Sequence, residues 1–98
     1  MKQRARVDKN HQEIMRCLKR LGCTVLSLHA QGKGCPDLLI SYQQQCYLVE
    51  VKDTGGKLRE SQKAFMRNWG SPVYVARSKE ECVGLLNQLR EAGNGDNL

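Results

Sequence analysis

Residues 37–52 read DLLISYQQQCYLVEVK, two apolar runs separated by three glutamines. The runs Asp37 to Tyr42 and Cys46 to Lys52 are nearly continuous in Leu, Ile, Val and Tyr, the pattern of central strands buried on both faces. Gln43, Gln44 and Gln45 mark the connection. Charge stands where such strands avoid it: Asp37 opens the first run, and Glu50 and Lys52 lie inside the second. Residues two apart in a strand share a face, so Glu50 and Lys52 point the same way. Directly opposed residues of an antiparallel pair also share a face. A two-residue turn at Gln43 and Gln44 sets Asp37 opposite Glu50, whereas a four-residue turn sets it opposite Lys52. A three-residue turn needs a bulge to restore the match. With either even turn, the three charged groups meet on one face.

Outward from this pair, Ile14, Cys17, Leu18 and Leu21 recur at helical spacing and predict a helix over about Asn10 to Leu21, stopped by Gly22. Asn10 and Glu13 have capping-box spacing at its start. Cys23 to Leu28 is β-rich, and Ala30 to Pro36, with Gly32 and Gly34, reads as a loop. After Lys52, Gly55 and Gly56 form a turn. Leu58, Gln62, Phe65, Met66 and Trp69 mark one face of a helix ending at Gly70, with Phe65 and Trp69 expected in the core. Pro72 opens a strand, Val73 to Ala76. Ser78 and Glu81 have capping-box spacing before a helix that turns Cys82, Leu85, Leu86 and Leu89 inward. The expected order is α-β-β-β-α-β-α, an α/β fold with one mixed central sheet flanked by helices. The strand–helix–strand step from Cys46 to Ala76 is expected to be a parallel crossover. Ninety-eight residues suit a single domain, with a core over about residues 10–92 and a frayed tail from Gly93 to Leu98.

Sixteen Lys and Arg against ten Asp and Glu leave a net charge of +6. Much of the excess is N-terminal, at Lys2, Arg4, Arg6, Lys9, Arg16, Lys19 and Arg20. Such a surface attracts phosphate backbones, although a solubilising face has the same composition. The five cysteines contain no C-x-x-C pair, and neither His11 nor His29 stands at zinc-finger spacing from them. No apolar run is long enough to span a membrane, and Met1 leads directly into charged residues. A cytoplasmic protein with reduced, mostly buried thiols is expected.

Charges inside an apolar strand are costly unless they are paired or bind an ion. A salt bridge of Lys52 with Glu50 or Asp37 is one explanation, but such pairs stabilise weakly. Two carboxylates beside a lysine also suit a hard divalent cation. Mg²⁺ typically takes one or two carboxylates and leaves positions for water and phosphate. Metal-assisted phosphodiester hydrolysis uses the cation to activate water and an ammonium to offset developing charge.

Gly34-Cys35-Pro36-Asp37, then Glu50-Val51-Lys52 on the next strand and Gln62 on the following helix, resembles the PD-(D/E)XK nuclease superfamily. Within it, the chain closely resembles the virus-type replication–repair nuclease (VRR-NUC) domain in its short stand-alone form, over about Glu13 to Lys79. The resemblance implies a restriction-endonuclease-like core and a DNA endonuclease that uses Mg²⁺ or Mn²⁺. It implies metal ligation by Asp37, Glu50 and the carbonyl of Val51, with Lys52 as the catalytic lysine. Glu13 matches a first-helix acid that contacts a metal directly or through water, and Gln62 matches the helix glutamine after the E-x-K strand. Some members carry Tyr four residues beyond this Gln, where Met66 stands here. Lys33, Lys57 and Arg59 lie in loops near the expected metal and are candidate DNA contacts. Gly32-Lys33-Gly34 could cradle a phosphate, although loop flexibility explains the glycines equally.

Stand-alone relatives are similar to Holliday-junction resolvases, which implies branched DNA, a homodimer, and the cytoplasm of a bacterial or phage-infected cell. A nonspecific or flap nuclease of the same fold is an alternative. So are a noncatalytic DNA-binding module and a subunit that docks its basic face on an acidic protein. The binding module predicts loss of Asp37, Glu50 or Lys52, and all three are present.

Overall fold

The computed structural model describes residues 10–95, with side chains to residue 92. The basic residues Lys2, Arg4, Arg6 and Lys9 lie outside the described residues. The elements follow the expected order: α1 (His11–Arg20), β1 (Thr24–Ser27), β2 (Leu38–Tyr42), β3 (Gln45–Val51), α2 (Glu60–Trp69), β4 (Val73–Ala76) and α3 (Lys79–Gly95). A short 3-10 turn, His29–Gln31, occupies part of the predicted loop. Helix α3 continues through Gly95, and residues 96–98 of the expected frayed tail lie outside the described residues.

The sheet order is β1-β2-β3-β4. The first two pairings are antiparallel, and β3 pairs with β4 in parallel, as the intervening helix requires. Gln43 and Gln44 form the two-residue hairpin turn, both at positive φ (51° and 70°), with Tyr42 opposite Gln45 and Leu38 opposite Val49. The same register, one step further, sets Asp37 opposite Glu50.

Helices α1 and α3 cover one face of the sheet. Ile14, Cys17 and Leu18 from α1 and Cys82, Leu85, Leu86 and Leu89 from α3 pack on Leu38, Ile40, Val49, Val51 and Ala76. Ser78 Oγ caps α3 by accepting the Glu81 N–H at 3.1 Å, while Glu81 accepts the Arg77 N–H at 2.8 Å. The opposite face is only partly covered. Leu39 is half-buried, Ser41 and Cys46 are exposed, and Leu26 is 57% exposed on the edge strand. The nearly unbroken apolar runs therefore do not signify two-sided burial: β2 alternates between buried and more open positions.

Helix α2 departs furthest from expectation. It begins at Glu60, leaving Leu58 before it, and Gln62 is its buried residue. Phe65 and Met66 are half-buried, and Trp69 is 50% exposed. Trp69 is thus not a core residue, because α2 lies along an open sheet face with no further layer beyond it.

Candidate active site

Where β3 approaches its end, Glu50 and Lys52 share the partly open face of the sheet and are nevertheless buried, at 2% and 7% exposure. Lys52 Nζ stands 3.5 Å from Glu50 Oε2. Gln62 (4% exposed) donates from Nε2 to the same carboxylate oxygen at 2.8 Å. Its own Oε1 accepts the Arg59 N–H at 2.8 Å, which satisfies one orphan donor of the helix terminus and fixes the rotamer. One side chain therefore closes the start of α2 and orients the strand carboxylate.

Asp37 enters from the neighbouring strand. Its Oδ2 accepts the Val51 N–H at 2.9 Å, directly beside Glu50. The loop before it is closed at its base by Leu28 N–H donating to Asp37 O at 2.7 Å. That closure brings His29 to the carboxylate, with Nδ1 4.0 Å from Asp37 Oδ1, too long for a hydrogen bond. Cys35 is drawn into the same environment: burial first, then the negative charges of Glu50 and Asp37, push its thiol above the ordinary value of 9.0.

The apposition of loop and helix depends on Gly34. At φ 79°, a Cβ built there would lie 2.1 Å from Ser61 O, in the first turn of α2. The glycine therefore marks a close backbone approach rather than flexibility. Lys33, at φ 56°, is held exposed beside it. Lys57 and Arg59 are also exposed. Arg77 Nη2 donates to Gly56 O at 3.0 Å and ties the turn after Lys52 to the end of β4.

Glu13 is not gathered into this cluster. It is half-exposed and pairs with Lys79 at 3.8 Å, a surface contact worth less than about 1 kcal/mol. The expected cap at Asn10 is also replaced by a different contact. Its side chain makes no cap bond, and Nδ2 instead donates to Lys52 O at 3.0 Å and Arg77 O at 2.7 Å. Asn10 thus clamps the ends of β3 and β4 to the start of α1. Sequence spacing carried no sign of this role, because the same residue type serves as an ordinary cap. The buried His11, whose ring meets His29 edge-on at 6.4 Å, was likewise invisible in the sequence.

The donor set fits a small hard cation of modest protein ligation. Among the described residues, no three His, Cys, Asp or Glu side chains converge as a closed metal cage. Two carboxylates suffice for Mg²⁺- or Mn²⁺-like coordination completed by water and phosphate. Asp37 Oδ1 and Glu50 would be the side-chain ligands, and a bound cation would lower the pKa of a water and polarise a phosphoryl oxygen. Lys52 supplies a fixed positive charge beside them, and Gln62 holds Glu50 in place.

Residues 2–80 match the VRR-NUC domain. The chain belongs to the VRR-NUC family. No curated protein and no solved structure matches it. VRR-NUC is a nuclease domain, so the protein is a DNA-hydrolysing nuclease. Among the described residues, no helix of this VRR-NUC protein is long and apolar enough to cross a membrane.

Proposed function

We propose that this VRR-NUC protein is a Mg²⁺- or Mn²⁺-dependent endonuclease acting on branched DNA. The observation that carries the hydrolytic reading is the buried Glu50, held by Lys52 at 3.5 Å and by Gln62 at 2.8 Å, with Asp37 anchored one residue away on Val51. A purely structural ion pair has no need of a second carboxylate delivered by a loop–helix contact as close as that at Gly34. In this reading Asp37, Glu50 and the Val51 carbonyl ligate the metal. Lys52 offsets charge developing on the phosphate, and Lys33, Lys57 and Arg59 contact the backbone. Glu13 serves as an outer contact through water, released from a weak pair with Lys79.

A cluster of this size cuts one strand, so symmetric incision of a junction calls for a two-fold pair of copies. The exposed Leu26 and an uncharged hollow among Leu39, Cys46, Leu48 and Pro72 support a second copy as the partner. That surface is where two chains of charge +6 bury apolar area without opposing like charges. The cytoplasm of a bacterial or phage-infected cell is the proposed compartment.

The test is cleavage of labelled four-way junction, flap, duplex and single-stranded DNA with Mg²⁺, Mn²⁺ or EDTA, beside Lys52→Ala. Metal-dependent cutting abolished by the substitution is expected, with symmetric junction incisions. Tight DNA binding by folded protein without cutting on any substrate would replace this reading with a noncatalytic binding module.

A further inference from the structure

Beyond Gln62, helix α2 leads away from the active site along a groove lined by Lys33, Ser61, Ala64, Phe65, Asn68 and Trp69. Residues 61, 64, 65 and 68 recur at helical spacing and form one face. Trp69, the protein's only tryptophan, is 50% exposed and stacks on Phe65 with ring centroids 5.3 Å apart and planes 20° from parallel. Leaving the largest apolar side chain half in water forgoes burial that a core tryptophan would gain. Lys33 is present because Gly34 seats its loop against Ser61. Trp69 lies seven residues from Gln62, about 10 Å of helical rise.

The lining combines a stacked aromatic surface, one ammonium, one amide and one hydroxyl, which are complementary to a nucleotide. The ring pair offers a face for a base, Asn68 a donor and acceptor for its edge, and Lys33 a charge for its phosphate. Paired bases inside a duplex present no free face, whereas an unpaired base does. On its other side, Trp69 borders the uncharged hollow that includes Leu39, Cys46 and Leu48, where no cation is available to a phosphate.

We propose that this groove binds an unpaired nucleotide next to the scissile phosphate, with its base stacked on Trp69. The inference rests on the nuclease reading and deepens it. DNA with single-stranded character at the cut gains a contact that continuous duplex lacks.

Trp69 fluorescence reports on the contact directly. The full chain is titrated in EDTA, where nothing is cut, with a short oligothymidylate and separately with a blunt hairpin duplex. Binding is followed independently by anisotropy of the labelled DNA. Saturable quenching by the single strand and little by the duplex is expected. Trp69→Ala is expected to weaken single-strand affinity by about 5- to 150-fold, the range for one lost stacked base, with duplex affinity shifted less than about twofold. Trp69→Phe is expected to restore most of the loss. Unchanged emission while the single strand binds, no single-strand binding, or equal weakening on both substrates would overturn the proposal. Because no cleavage is measured, such failures leave the nuclease reading to its own test.

Discussion

Glu50 and Lys52 make each other tolerable in an apolar strand, and Gln62 completes the arrangement by bonding the carboxylate that Lys52 attracts. Lys52→Ala leaves a 2%-exposed carboxylate without its ammonium, a change that costs about 3–5 kcal/mol when one partner of a buried pair is removed. In EDTA the expected fall in Tm is about 10 °C or more. Added Mg²⁺ or Mn²⁺ is expected to recover more of the Tm than in the wild-type protein, because the cation replaces the missing charge. A calorimetric scan showing equal metal response in both proteins would remove the carboxylates as ligands. Glu50→Gln is expected to lower cleavage by at least about 10²-fold while keeping the Gln62 contact. The buried thiols make a second prediction at this scale. Burial, then the neighbouring Cys17, pushes Cys23 from 9.0 to about 11, and burial with nearby Cys17, Cys23 and Glu81 pushes Cys82 to about 12. Below pH 9 folded and unfolded chains both keep these protons. Above it the unfolded chain releases them first, so the stabilising contribution is lost as pH rises toward 11–12. Denaturant midpoints are expected to fall across that window, and a flat profile would show that the thiols do not govern alkaline stability. At neutral pH the exposed Cys46 is expected to alkylate well before Cys17, Cys23 or Cys82.

At the scale of elements, two turns decide the site. Gly34→Ala places a methyl 2.1 Å from Ser61 O at φ 79° and forces the Asp37 loop off α2. A loss of about 2–4 kcal/mol is expected, together with reduced cleavage, since Asp37 follows three residues later. Chemical denaturation and activity measured on the same preparation check both effects, and an unperturbed enzyme would show that the approach is not needed. The Gln43–Gln44 turn instead carries removable strain, with two glutamines at positive φ where Asn-Gly is favoured. Gln43→Asn with Gln44→Gly is expected to raise Tm by about 4–8 °C, equivalent to about 1 kcal/mol, without altering cleavage. The turn also resolved the register left open by the sequence. With two residues in the turn, Asp37 faces Glu50 rather than Lys52.

At the scale of the whole molecule, Asn10 connects the first helix to both parallel strands, donating at 3.0 and 2.7 Å to Lys52 O and Arg77 O. Asn10→Ala removes two hydrogen bonds to part-buried carbonyls and is expected to cost about 1–3 kcal/mol. It is also expected to lower activity by loosening the backbone that carries Lys52. Asn10→Asp, which cannot donate to either carbonyl, is expected to do no better, and full activity in that variant would reduce Asn10 to a spacer. The open sheet face is a second property of this scale. With α1 and α3 on one side and only part of the other covered, the chain exposes Leu26 and Trp69 where a larger domain would add a layer.

The sequence by itself determined the order of elements, the hairpin, the parallel crossover and the placement of Asp37, Glu50 and Lys52 on one sheet face. These follow from strand alternation and local turn chemistry, which act between near neighbours. It also singled out Gln62, although not its two bonds, because a helix glutamine becomes decisive only when a strand carboxylate lies opposite. Tertiary structure alone decided the rest. It turned Asn10 from a cap into a clamp, paired Glu13 with Lys79 at the surface, set His29 beside Asp37, and left Trp69 half in solvent. Each of those outcomes depends on which segments meet after seven or more intervening residues, or on how many layers cover a face. Hydrophobic periodicity along the chain records neither.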